Sequence, residues 1–186
     1  MQRSAINPMP EFFDRYINLV DDVDIFEAFN RYSPVRIISN FTKLAELGDR
    51  VYEPGKWTVK DILQHIIDNE RIMSYRALRF ARNDATALPG YDQELLAAHT
   101  NAINRSLDEL FEEFKQVRIT SLMLFKSMDG KMMLRSGIAS NSQISSLALG
   151  FVIIGHAIHH MKVIEDRYFP LLGEWSNTFS DNIFIH

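Results

Sequence analysis

The sequence predicts an all-α protein, an antiparallel four-helix bundle with extra short helices. Three observations carry this reading. Apolar residues recur every three or four positions over four stretches, the spacing of one buried helix face. Two of those stretches open on a Ser or Thr followed three residues later by an acid, the pattern of a capping box. Across all 186 residues, no stretch alternates convincingly as a strand.

In chain order, residues 1–20 read as a loosely ordered start with a short amphipathic turn, Glu11-Phe12-Phe13-Asp14-Arg15-Tyr16. From Asp24, helical spacing links Ile25, Phe26, Phe29, Tyr32, Ile37, Ile38, Phe41, Leu44 and Leu47. Pro34 lacks an amide donor and crowds the preceding turn, so this first helix must kink or break near Ser33, which can cap a restart. Gly48 closes it. The turn Glu53-Pro54-Gly55-Lys56-Trp57 leads to Thr58, which with Asp61 caps a second helix over 59–82. The connection 83–101 holds Leu88-Pro89-Gly90 and is long for a compact domain, which marks it as functional or mobile.

Ser106 and Glu109 cap the third helix, whose Leu110, Phe114, Val117, Ser121, Phe125 and Met128 read as plain core. Residues 131–141 form a loop, with Met132, Met133 and Leu134 as a cover. The fourth helix begins near Ser142 or Ile144. Gly150 and Gly155 lie inside it, each costing about 1 kcal/mol relative to Ala. They point to close approach by another helix, or to room beside a site. The tail, 173–186, has aromatics without a readable pattern.

Composition narrows the function. The length and 46% hydrophobic content suit a single domain, 1–186, with its core over about 22–170. The net charge is −4 and no Lys/Arg block tracks a phosphate backbone, so no nucleic-acid partner is expected. The apolar run 147–154 falls far short of the ~20 residues a bilayer needs. Residues 1–10 lack the basic-then-apolar pattern of an export signal, and cysteine is absent, which together suit the cytoplasm. Any metal must therefore be held by His, Asp or Glu.

The chemistry sits in the fourth helix. His156 and His160 are four apart and share a face, while His159 lies about 100° round from His160. Two imidazoles one turn apart can chelate an ion, as in zinc-protease helices, but the Glu those helices need is missing. The same spacing also serves two core histidines with satisfied hydrogen bonds. His65, near the start of the second helix, shares its face with Ile62, Asn69 and Ile72, a face that reads equally as core. If the two helices run antiparallel, the three rings can converge at one end of the bundle. Asp68, one turn on, can orient an imidazole or a water. Arg76, Arg79 and Arg82 form a rough stripe, solvated or an anion-binding pocket edge.

Gly55-Lys56-Trp57-Thr58, the run to His65, Asp68 and Glu70, Tyr75-Arg76-Ala77-Leu78-Arg79-Phe80-Ala81-Arg82, and Gly155-His156 with His160 resemble the DinB-like four-helix-bundle superfamily. The similarity spans about residues 22–170. It implies a divalent ion, zinc or nickel, held by one histidine of the second helix and the pair of the fourth: His65, His156 and His160. Asp68 and Glu70 match the family's acidic pair after the first histidine; the residues alone equally let Glu70 pair with Arg71, Arg76 or a surface charge. His159 reads as an outer or surface residue, and His99 and His186 receive no role. The resemblance further implies either transfer chemistry with a low-molecular-weight thiol or metal-dependent hydrolysis, on a small-molecule substrate, and a possible homodimer. Asp68 is the candidate general base. A non-catalytic, stress-related metal or small-molecule binder is the alternative.

Overall fold

A computed structural model describes residues 1–173, so the tail from 174 onward, His186 included, lies outside the described residues. The start of the chain is packed, which corrects the loose N-terminus expected above. Ile6, Phe13, Ile17 and Val20 are buried around α1 (Asp14–Ile17). These turns are too short for a helical period to show in the sequence. The Met1 amino group pairs with Asp24, whose carboxylate also accepts from the Phe26 amide and caps α2 (Ile25–Arg31).

The first bundle helix breaks twice. It restarts at Pro34 as α3 (Pro34–Ile37), without a side-chain cap from Ser33. It restarts again as α4 (Phe41–Leu47), where the Asn40 side chain accepts from the Lys43 amide. The capping box of Thr58 and Asp61 opens α5 (Val59–Ala81). The connection that follows contains a helix of its own, α6 (Gln93–Ala98), capped by Asp92. A second capping box, Ser106 and Glu109, opens α7 (Leu107–Lys126), and α8 (Gly130–Leu134) follows.

Where a loop and the start of a helix were expected, β1 (Ser136–Ala139) and β2 (Ser142–Ser145) form an antiparallel hairpin. Its turn residues, Ser140 and Asn141, both take positive φ, 52° and 64°. Strands of four residues, half exposed, leave little alternation to read. The fourth long helix, α9 (Ser146–Val163), therefore starts later than expected and is capped by Ser145. It ends in a π-turn, Ile164–Tyr168, and a 3₁₀ turn, Phe169–Leu172. This continuous helical rod is long and apolar enough to cross a membrane by length and composition, but most of it is buried in the bundle.

Side-chain pairings give the helix directions. Ser146 Oγ donates to the Ala77 carbonyl, and His156 faces His65, so α5 and α9 run antiparallel. Arg105 meets Gln64 at one end and Arg82 meets Ser127 at the other, so α5 and α7 run parallel. Phe29 packs on Phe125 and Phe41 on Phe111, so the broken first helix opposes α7. The order is up, down, down, up. The segment 83–106 must return the length of α5, about 35 Å at 1.5 Å per residue. That span explains its length.

The core divides into two apolar clusters along the bundle. Between them lies a buried ion pair. Arg118 Nε donates to both Glu70 oxygens at 3.0 and 3.1 Å, Nη2 donates to Oε2 at 3.0 Å, and Nη1 donates to the Tyr32 carbonyl at 2.8 Å. Glu70 thus pairs with neither Arg71 nor Arg76. Nor do the arginines form a stripe: Arg79 pairs with Asp84 and Arg82 reaches Ser127, while Arg76 is buried.

Candidate metal centre

His65 enters the centre from the second turn of α5, and His156 and His160 enter from the C-terminal half of α9. Antiparallel packing puts a helix start beside a helix end, so the three rings meet. His156 Nε2 lies 3.1 Å from His65 Nε2 and 3.1 Å from His160 Nε2. One candidate ligand atom from each of the three residues can be chosen so that all lie within 4.8 Å of one another. His65 and His156 are buried and His160 is partly so.

This spacing fits a metal. Two ligands about 2.0–2.1 Å from a tetrahedral ion lie about 3.3 Å apart. The rings satisfy one another only in part, because a neutral imidazole nitrogen is a donor or an acceptor and not both. His156 Nε2 has two such neighbours. Burial, the largest cause for each ring, pushes His65 down to about 4 and His160 down to about 3 from the ordinary 6.5. It lowers His156 well below that value too, helped by the neighbouring rings. All three are neutral near pH 7, the state in which imidazole ligates a metal.

Neighbouring aromatics hold the rings. Trp57 packs on His65 with centroids 4.8 Å apart, and Tyr168 Oη donates to the Trp57 carbonyl at 2.6 Å. The π-turn contains Tyr168, so the widened end of α9 carries the side chain that anchors Trp57. On the other side, Tyr16 of α1 meets His156 edge-on at 5.2 Å and His159 at 5.4 Å. Of the two readings of the α9 glycines, close approach or room beside a site, close approach holds at both. Gly150 faces the Phe125 ring, and a Cβ at Gly155 would stand 2.0 Å from the Tyr16 carbonyl oxygen.

Two cavities meet at His160. The larger, about 720 Å³, runs past His156 and His159 to Asn69, Arg76 and Tyr91. The smaller, about 370 Å³, lies between Trp57, Lys56, Glu94 and Tyr168. Asp68 lines neither. Its carboxyl accepts from Gln64 Nε2 at 3.0 Å and faces a separate cleft with His99 and Arg105. Burial raises its pKa, the Gln64 bond opposing. His159 is half-buried and lines the larger cavity. Sequence reasoning missed Tyr16, Trp57, Asn69 and Tyr91. Asn69 carried a signal, being one turn from His65 on the same face; Tyr16 carried none.

A helical bundle with an open three-histidine cluster at one end has the donor set and the architecture in which bundles build metal sites. Residues 36–164 match the family model of the DinB superfamily, and the chain belongs to that superfamily. The fold is similar to that of YfiT from Bacillus subtilis, described as "a probable metal-dependent hydrolase with an unusual four-helix bundle topology". The TM-score is 0.65 at 16% identity, over 95% of this chain and 94% of that one, so the likeness is one of fold. No curated protein matches the sequence significantly.

Proposed function

We propose that this protein is a divalent-metal-dependent enzyme acting on a small molecule, with His65, His156 and His160 as the ligands. The observation that carries it is the 3.1 Å contact of His156 Nε2 with both other rings, at a point where two cavities open. Three protein ligands leave coordination positions free for a reactant. A divalent ion held there, zinc or nickel, would keep a bound small thiol deprotonated, or lower the pKa of a bound water toward ~7. YfiT's description as a probable metal-dependent hydrolase supports the general reading.

Two features favour transfer from a low-molecular-weight thiol over hydrolysis. The centre is reached from two cavities, which suits two reactants, and among the described residues neither Asp nor Glu lines the larger one. A carboxylate base near an attacking water is therefore missing there, and Asp68 lies in another cleft. The chain contains no cysteine, so the thiol must come from outside. The neutral His159 in the larger cavity is the side chain placed to hold or return a proton, and Tyr16 fixes its ring.

The test starts with metal content. Protein purified without chelator should carry about one divalent ion per chain, and His65→Ala and His160→Ala should lose it. Turnover of a model electrophile should then require added thiol. Ester hydrolysis without thiol would select the hydrolase instead, and no metal with no stabilisation by zinc or nickel would leave a binding protein.

A further inference from the structure

The side chain in the larger cavity that the centre does not explain is Arg76. It is only 3% exposed, and among the described residues it has no carboxylate partner. Its Nη2 donates to the Pro89 carbonyl at 2.8 Å and to Ser140 Oγ at 3.1 Å, while Nη1 touches the Met73 sulfur. All three partners are neutral. Burial lowers its pKa, opposed only by Tyr91, yet an arginine stays charged.

Arg118, 4% exposed, is neutralised by a forked pair with Glu70. More exposed cations, Arg71 and Arg105, share Glu113. A buried charge without a counter-ion is costly unless something supplies one. Among the described residues the lining of the larger cavity offers none: its charged members are Arg76 and the exposed Arg15, both cations.

A second observation lies between Arg76 and the histidines. Asn69 gives one end of its amide to Tyr91 Oη at 2.6 Å, and the other end, Oδ1, is buried with no partner among the described residues. Exchanging the amide ends would orphan the nitrogen instead, so one polar atom remains unmet either way. On α5, His65, Asn69, Met73 and Arg76 fall at helical spacing along one face, about 16 Å from first to last. An arginine side chain leans back toward the helix start, which shortens the gap to the centre.

We propose that the larger cavity takes a substrate bearing a carboxylate, which sits on Arg76, while a polar group nearer the reacting end meets the free end of the Asn69 amide. One buried cation matches one negative charge. The apolar stretch between, Phe13, Met73 and Val152, fits a short hydrocarbon portion. The inference rests on the metal-enzyme reading only in placing the reacting end at the histidines; the carboxylate site stands on Arg76 and Asn69 alone.

The test titrates the protein, as purified and after zinc loading, with hexanoate and octanoate against hexanamide and octanamide at matched ionic strength. The carboxylates should bind at least about tenfold more tightly than the amides. That preference should vanish in Arg76→Gln and survive in His160→Ala. Because Arg76 also ties Pro89 to Ser140, a wild-type measurement accompanies the variants: the Arg76 Nε–H resonance should shift with carboxylate and stay put with amide. Equal binding of acid and amide, or a preference that persists in Arg76→Gln, overturns the proposal. Metal content is read separately. One ion per chain without a carboxylate preference sinks this inference alone, whereas the preference without metal sinks only the enzyme.

Discussion

The backbone carbonyl of Tyr16 lies against the Cα of Gly155, close enough that no side chain fits between α1 and α9. This contact sets Tyr16 beside His156 and His159. Gly155→Ala should therefore push α1 off α9, although alanine is the better helix former. We expect a net loss of about 1–3 kcal/mol, the usual range for overpacking, and weakened metal binding. Urea unfolding and metal titration of the one variant check both. Unchanged stability would mean that α1 yields freely.

The two adjacent histidines should part company on mutation. His160 shares the 3.1 Å contact with His156 Nε2, whereas His159 only meets the His160 ring edge-on at 5.1 Å. His160→Ala should abolish stoichiometric metal, while His159→Ala, at a residue that hydrogen-bonds none of the three rings, should change affinity by no more than about tenfold, the lower end of the effect of losing an outer hydrogen-bonding partner. Elemental analysis and competition with a chelating dye report this directly. Turnover, by contrast, should fall in both.

Acid should destabilise the metal-free protein. The folded values of about 4 for His65 and about 3 for His160 lie below the 6.5 of a free imidazole. Between those values the unfolded chain binds more protons than the folded one, so stability rises with pH. It is fully present above pH 6.5 and is lost as the pH falls toward 4 and 3. Urea midpoints should drop over that range, and less steeply in His160→Ala. Parallel slopes for the two proteins would show that His160 does not titrate as burial requires.

Breaking the Glu70–Arg118 pair should cost more than removing it. Glu70→Gln strands a buried guanidinium, and the loss should be about 3–5 kcal/mol. The double change Glu70→Leu with Arg118→Met removes both charges and should recover most of that. A double variant as unstable as the sum of the singles would show that the Arg118 bond to Tyr32, and not the pairing, holds this layer.

The long helices were legible because local chemistry fixes them. Thr58 with Asp61 and Ser106 with Glu109 cap α5 and α7, and periodic apolar faces follow. The four-residue spacing of His156 and His160 puts them on one face, whatever the helix packs against. Other features carried no such signal. The hairpin at 136–145 is too short to alternate, and the packed N-terminal turns have no period. The parallel run of α5 and α7 appears in the chain only as a long connection.

The sequence by itself determined the long helices, the capping boxes of α5 and α7, and the side chains able to ligate a metal. Only the tertiary structure decided which groups share a space. It brought His65 to His156 across 91 positions, sent Asp68 to another cleft, matched Glu70 with Arg118, and left Arg76 facing a cavity without a counter-charge among the described residues. The physical reason is range. Helix formation depends on neighbours three and four residues away, whereas the burial and pairing of a charge depend on every element packed around it.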